Sequence, residues 1–144
     1  MPGRLVVVGS SAVDITAKVS DNERFIMHST APGTVVTSLG GVARNVAEAA
    51  HRRLSASSAS LGSSTVLLSV IGQDAFGRML IDESQRMRMR TDGLMSSMVG
   101  RTAVCNMMLD TSGNLVGGVA DMDIVHALDP SSVRGRNGSN TSLY

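Results

Sequence analysis

Two aliphatic runs stand out along the chain, and each of them ends at a glycine. Leu5–Val8 is followed by Gly9, and the run from residue 65 to residue 71 is followed by Gly72. Continuous apolar runs without polar alternation are typical of strands that are covered on both faces, as in a parallel sheet. We therefore predict that both runs are buried, central strands of one parallel sheet.

A helical period begins directly after the pair Gly40 and Gly41. Apolar residues then recur at spacings of three and four, which predicts one buried helical face: Ala43, Val46, Ala47, Ala50 and Leu54. The helix is expected to begin near Val42. On this wheel Asn45 lies on the opposite, polar face, together with Glu48 and Arg52.

A second helix is predicted after Asp74, which stands at the position of a helix N-cap. Gly77 would let this helix pack closely on a strand. Its predicted apolar positions are Phe76, Met79, Leu80 and Met87. Three arginines end the segment, and positive charge at a helix C-terminus complements the helix dipole: Arg86, Arg88 and Arg90.

The remaining segments predict strands, a hairpin and loops. Residues 15–19 alternate, as in a half-exposed strand, and the segments 102–109 and 115–119 flank Asp110–Gly113, a hairpin turn signal. Residues 55–64 are rich in serine, which predicts a flexible loop. We place one domain at residues 1–129 and expect residues 130–144, which have no apolar periodicity, to form a disordered tail.

Composition narrows the class of protein. A chain of 144 residues with 42% hydrophobic residues can bury one core, which is aliphatic because aromatic residues make up only 2%. The net charge of +1 gives no electrostatic argument for a nucleic-acid or membrane partner. Cys105 is the single cysteine, which favours a reducing compartment. No apolar run is long enough for a signal peptide or a span, so a cytoplasmic location is the expectation.

The chemistry-bearing candidates cluster near predicted strand ends and helix starts. Asp14 follows the turn after Leu5–Val8, where open α/β sheets bind ligands, although a turn aspartate bonded to its own backbone is the alternative. For Asn45 the alternative is a solvated helix face. His28, His51 and His126 are scattered, and solvated or edge positions are expected for them. No spacing of a metal site is present.

The segment Gly40–Glu48, with the sequence GGVARNVAE, resembles the glycine-pair motif of the ribokinase-like (pfkB) carbohydrate kinases. Its continuation Val42–Asn45 looks most like the pseudouridine kinase branch. The resemblance covers roughly residues 4–128 and runs through further segments: 9–14, 32–34, 72–77, 100–102 and 120–122. It implies an α/β fold with a mostly parallel central sheet, flanking helices and a small β lid.

The resemblance also implies a function and a site. The parent activity is ATP-dependent phosphorylation of a ribosyl 5′-hydroxyl, with pseudouridine as the first choice of nucleoside and with Mg²⁺ as metal. The implied substrate-binding residues, which hold hydroxyls of a nucleoside or sugar, are Asp14, Gly40, Gly41 and Asn45, with Arg101 and Asp121 as further candidates. The lid implies a homo-oligomer. Val104 and Cys105 depart from the family, where a threonine and a tyrosine are expected.

In the resembled family the catalytic base is an aspartate in a Gly-Ala-Gly-Asp segment, and no such segment occurs in these 144 residues. No catalytic residue is therefore assigned. By resemblance the chain is roughly the first half of a kinase, the substrate half with its lid and without the ATP pocket. Two alternatives stay open: a non-catalytic nucleoside-binding, sugar-binding or oligomerising module, and a truncated product without function.

Overall fold

A computed structural model describes residues 5–24, 27–58 and 64–128. The strands are β1 (Leu5–Val8), β2 (Ala12–Val19), β3 (Gly33–Gly40), β4 (Thr65–Gly72), β5 (Leu94–Ser97), β6 (Ala103–Leu109) and β7 (Leu115–Asp121). The helices are α1 (Val42–Ser57), α2 (Ala75–Arg86) and the 3₁₀ helix Asp123–Ala127. Residues 55–57 of the predicted serine-rich loop belong to α1, so that part of the prediction is wrong. Residues 59–63 of the loop and all of the predicted tail from 130 to 144 lie outside the described residues.

The first sheet contains β1, β4 and β5 in the order β1-β4-β5, and all of its strands are parallel. Leu5 is paired with Thr65 and Val8 with Leu68, so the predicted parallel pairing of the two aliphatic runs is confirmed. β5 was not predicted, because a four-residue strand with two serines carries no periodic signal. The α/β class with a parallel sheet and flanking helices is confirmed.

The prediction that β1 is a central, fully buried strand is wrong. Among the described residues β4 is the only strand paired with β1, so β1 lies at the edge of the sheet. Val7 packs against the core, whereas Leu5, Val6 and Val8 are exposed. An aliphatic run indicates that a strand tends to be buried, but the described part of the chain covers only one face of this strand.

The second sheet has the order β3-β2-β6-β7 and forms the lid. β2 runs parallel to β6, and the other two pairings are antiparallel. The predicted hairpin is confirmed, since β6 and β7 flank the turn at Asp110, whose carboxylate accepts a hydrogen bond from the amide of Asn114 at 2.8 Å. β2 begins at Ala12, so Asp14 lies inside a strand and not in the turn that the sequence suggested.

Helix α1 begins at Val42 as predicted, but its buried face differs from the predicted stripe. Val46 is 52% exposed, whereas His51 is buried and its Nε2 lies 2.9 Å from the carbonyl oxygen of Met87. The expectation of a solvated His51 is therefore wrong. The buried face of α1 is rotated relative to the predicted one because the polar side chains of Arg44 and His51 find partners at Met87, directly after α2. They can therefore be buried between the two helices. The buried residues of α1 are Ala43, Arg44, Ala47 and His51.

Helix α2 follows the predicted N-terminal signals, but it ends at Arg86, so Met87, Arg88 and Arg90 lie beyond the helix and not in it as predicted. Asp74 is its N-cap and accepts a hydrogen bond from the amide of Gly77 at 2.8 Å. A Cβ atom on Gly77 would lie 2.1 Å from the carbonyl oxygen of Gly72, which explains the glycine. Leu80 is buried in the main core. In the described ranges no helix is long and apolar enough to cross a membrane.

The core has two parts, which join the sheets and helices. The larger cluster packs both helices against both sheets and contains Val13, Ala43, Ala47, Leu67, Ile71, Leu80, Met89 and Leu94. The smaller cluster lies between the lid, β4 and the 3₁₀ helix and contains Ala12, Val70, Ala103 and Ile124. Both parts are aliphatic, as the composition predicted. Together they fix the start of β2 and the start of α1 against each other.

Candidate functional site

Asp14 and Gly40 are in direct contact at the end of the β2–β3 pair. Ala12 is paired with Gly40 in this antiparallel ladder, so Asp14 is the diagonal neighbour of Gly40 on the same face. A Cβ atom on Gly40 would lie 2.3 Å from Oδ2 of Asp14. Only glycine therefore leaves the half-buried carboxylate in its position, and the sequence placed both residues in the site without revealing this contact.

Gly41 makes the sharp turn from β3 into α1. Its φ of 93° lies in the left-handed region, and a Cβ atom would lie 2.5 Å from the carbonyl oxygen of Ser10. The same carbonyl accepts a hydrogen bond from the amide of Arg44 at 3.2 Å. The first turn of α1 is thereby held against Ser10, which leads into β2 and lies four residues before Asp14.

Asn45 lies in the first turn of α1, and its side chain is exposed, as the helical wheel predicted. The backbone N–H of Asn45 donates a hydrogen bond to the carbonyl oxygen of Gly41 at 2.9 Å. Its side-chain Oδ1 accepts a hydrogen bond from Nη1 of Arg44 at 3.2 Å. Chain connectivity through Gly41 places Asn45 at the same end of the β2–β3 pair as Asp14.

Sequence reasoning missed Arg44, which is 5% exposed and the centre of a charged cluster. Its guanidinium forms an ion pair with Glu48, whose other oxygen is 2.6 Å from Nε of Arg52. Burial acts to raise the pKa of Glu48, but the hydrogen bond and charge of Arg52 and the charge of Arg44 outweigh it and hold this pKa below its ordinary value. The spacing of four residues between these charges was the available signal.

Arg101 and Asp121 form an ion pair of 2.7 Å, away from the glycine pair. Asp121 is the last residue of β7. The two residues belong to an open cleft lined by Met98, Gly100, Arg101, Asp121, Asp123 and Ile124. Arg101 is largely exposed, so solvent screens this pair.

The strand register separates Asp14 from Asp121. Val104 of β6 is paired with Val13 on one side and with Asp121 on the other, whereas Asp14 is paired with Cys105. Consecutive residues of a strand point to opposite faces. Asp14 and Asp121 therefore lie on opposite faces of the lid sheet, and the six predicted site residues fall into two groups. Cys105 is a half-buried free thiol on the face of Asp14.

The described residues offer no cluster of metal ligands. In the ranges that the structure describes, no group of three histidine, cysteine, aspartate or glutamate side chains could hold a metal ion. The sequence also lacks a Gly-x4-Gly-Lys loop, and its single lysine, Lys18, is paired with Asp21 on the lid. We derive no step through ATP or Mg²⁺ from these residues.

The lid, the parallel sheet and the glycine-pair turn define an α/β sugar-kinase scaffold of the ribokinase type. The family model of the pfkB family carbohydrate kinases matches residues 3–124, and the chain belongs to this family. The matched part is the N-terminal part of the domain.

Two curated relatives show how much of a kinase is present. The chain is 30% identical over 130 residues to the uncharacterized sugar kinase YeiI of Escherichia coli, covering 90% of this chain and 33% of the relative. It is 29% identical over 120 residues to the pseudouridine kinase of Arabidopsis thaliana, covering 83% of this chain and 28% of the relative. The chain spans about a third of the length of these relatives, which is less than the half that the resemblance suggested.

Solved structures agree with the fold. A sugar kinase from Clostridium perfringens superposes with a TM-score of 0.78 at 27% identity and covers 94% of this chain and 40% of that one. A ribokinase from Giardia lamblia gives a TM-score of 0.78 at 21% identity, covering 93% and 40%. A fructokinase from Xylella fastidiosa with bound ATP gives 0.61 at 21% identity, covering 85% and 34%. The expected ribokinase-like fold is confirmed.

Proposed function

We propose that this chain is the substrate-binding part of a pfkB kinase that phosphorylates the ribosyl 5′-hydroxyl of a nucleoside, with pseudouridine as the substrate. Membership of the carbohydrate kinase family supports the reaction class. The pseudouridine kinase among the relatives, together with the run Val42–Asn45, supports the choice of nucleoside.

The observation that carries the proposal is the contact of Asp14 with Gly40. The carboxylate occupies the space that a side chain at position 40 would take, and it stays half-buried and accessible. A carboxylate accepts hydrogen bonds, and an amide NH2 group donates them. Asp14 would therefore accept hydrogen bonds from the ribose hydroxyls, Asn45 would donate a hydrogen bond to a hydroxyl oxygen, and the glycines would let the sugar approach the backbone.

The catalytic step needs groups outside this set. Phosphoryl transfer requires a base near the attacking hydroxyl and cations near the phosphates. ATP, as in the fructokinase structure with bound ATP, would supply the phosphoryl group with Mg²⁺, and the base would come from a Gly-Ala-Gly-Asp segment that these 144 residues lack. The described residues would bind and orient the nucleoside. We expect no phosphorylation of pseudouridine by residues 1–144 alone.

Nuclear magnetic resonance titration of the ¹⁵N-labelled chain tests this proposal, because it detects weak binding. Pseudouridine, uridine and ribose are added in turn to the parent chain, to Asp14→Asn and to the control Asp82→Asn, an exposed carboxylate on α2. We expect shifts near Gly40 and Gly41 that saturate with pseudouridine and are lost in Asp14→Asn only. Equal binding by both variants, or no binding by the parent, would contradict the proposal.

The alternative function is a non-catalytic module that binds a second copy of the chain through the lid. The observation that favours it is the exposure of large apolar residues on the outer strands β3 and β7. Val35 is 68% exposed and Val119 is 73% exposed. Exposed apolar residues on sheet faces and edges are typical of surfaces that pair with another chain. The two proposals are compatible, because Asp14 and Val119 belong to opposite faces of the lid.

A further inference from the structure

The buried guanidinium of Arg44 connects the two halves of the proposed sugar site. Nη1 donates to the carbonyl oxygen of Leu39 at 3.3 Å and to Oδ1 of Asn45 at 3.2 Å. Leu39 directly precedes Gly40, which lies under the Asp14 carboxylate. One nitrogen atom therefore ties the end of β3 to the side chain of Asn45.

The other side of this guanidinium is fixed as well. Glu48 forms an ion pair with it, and Sδ of Met87 lies 3.9 Å from Nη2. Glu48 is in turn held by Arg52 at 2.6 Å. A planar group with carboxylate, carbonyl and thioether partners has little freedom to rotate. Arg44 can thus hold a neighbouring side chain in one orientation.

The hydrogen-bonding groups of Arg44 and Asn45 determine the orientation of the Asn45 side chain. A guanidinium has N–H donors and no acceptor, so it can bond only the oxygen of the Asn45 amide and not its nitrogen. The NH2 group of Asn45 points away from Arg44, and because the side chain is exposed, this group can donate hydrogen bonds to a ligand. Asn45 therefore presents donors, whereas Asp14 presents acceptors.

We propose that Arg44 is a positioning residue that turns the NH2 group of Asn45 toward the ligand, so that the site recognises hydroxyl groups by one donor and one acceptor. This inference rests on the proposed function and deepens it. A hydroxyl group both donates and accepts, and it satisfies the two side chains together.

A double-mutant cycle tests the inference with pseudouridine as the probe. Arg44→Lys keeps the positive charge, but lysine has one ammonium nitrogen. It cannot reproduce the planar fork in which Nη2 pairs with Glu48 while Nη1 bonds Leu39 and Asn45. We expect Arg44→Lys and Asn45→Ala each to weaken binding about tenfold. We expect the double variant to bind no more weakly than Asn45→Ala alone. Arg53→Lys, on the exposed side of α1, is the matched control and should bind like the parent.

Asn45→Asp tests the orientation in a protein that keeps the buried arginine. The new carboxylate can still accept from Arg44, so the fold should be retained, but the donor is lost and affinity should fall about tenfold. Unchanged affinity in Asn45→Asp or in Arg44→Lys, or losses that add in the double variant, would overturn the inference. If Asp14→Asn weakens binding while these variants do not, the inference alone fails. If Asp14→Asn also has no effect, the proposed function fails with it.

Discussion

Thr102 donates two hydrogen bonds to Asp74, one from its amide to Oδ2 at 2.8 Å and one from its hydroxyl to Oδ1 at 2.7 Å. The hydroxyl oxygen also accepts from the amide of Gly72 at 2.9 Å. Thr102 is completely buried and directly precedes β6. The N-cap of α2 is thus also the joint between the parallel sheet and the lid.

Asp74→Ala should destabilise the chain by more than a lost N-cap does. The cap is worth about 1 kcal/mol, and two buried donors of Thr102 left unpaired add roughly 1–3 kcal/mol, so we expect a loss of about 2–4 kcal/mol. Urea unfolding followed by circular dichroism measures the free energy of unfolding. Asp82→Ala on the exposed side of α2 is the control and should change it by less than about 0.5 kcal/mol. A loss below about 1 kcal/mol for Asp74→Ala would show that Asp74 acts as a cap alone.

The same contacts predict a pH dependence. Burial acts to raise the pKa of Asp74, but hydrogen bonds from Gly77, Thr102 and Phe76 outweigh it and hold the pKa below the ordinary value of 3.8. The ionised carboxylate therefore stabilises the fold above the unfolded pKa, and this contribution is lost as the pH falls through the lower folded pKa. The stability difference between the parent and Asp74→Asn should be constant from pH 7 to about pH 5 and should shrink below 3.8. A difference that does not change with pH would contradict this.

Gly40→Ala should displace the carboxylate of Asp14 and weaken the binding of pseudouridine. The new Cβ atom would lie 2.3 Å from Oδ2, so the carboxylate must rotate away. Loss of a hydrogen bond to a charged group is worth about 1.5–3 kcal/mol, which corresponds to roughly 10-fold to 100-fold in affinity. Gly117→Ala is the matched control in the lid, because its Cβ meets nothing within 4 Å. Equal affinities of Gly40→Ala and Gly117→Ala would show that the Asp14–Gly40 contact does not contribute to ligand binding.

Arg101→Ala should leave stability nearly unchanged, since exposed ion pairs contribute about 0–1 kcal/mol. We expect the free energy of unfolding to fall by less than about 1 kcal/mol, and less still at high salt. The same variant decides whether the cleft at Asp121 takes part in binding. If it does, affinity for pseudouridine falls while stability does not. A large loss of stability would mean that the ion pair supports the fold.

The lid valines predict association of two chains. Val35→Ser together with Val119→Ser removes the two most exposed valines of β3 and β7. We expect sedimentation velocity to show a concentration-dependent dimer for the parent chain and a monomer for the double variant. Val46→Ser, an exposed valine on α1, is the control and should leave the dimer intact. A parent chain that stays monomeric at high concentration would contradict association through the lid.

The sequence by itself determined the features that depend on neighbouring residues. The turn at Gly41, the cap at Asp74 and the hairpin at Asp110–Gly113 each follow from local chemistry, and the structure contains all of them. The glycine-pair motif and the other ordered motifs also indicated the family, because they occur in the family's order and spacing. The parallel pairing of the two aliphatic runs followed from their shared pattern.

Only the tertiary structure decided which residues meet across the chain. A helical period cannot show that Arg44 and His51 are buried, because their partners at Met87 are 43 and 36 residues away in sequence. A strand pattern also does not show the position of a strand within its sheet. The pattern wrongly predicted β1 as central, whereas β1 is an edge strand in the described part of the chain, and it did not show that Asp14 and Asp121 lie on opposite faces of the lid. Burial and register are properties of contacts between distant segments, and the pattern of one segment does not contain them.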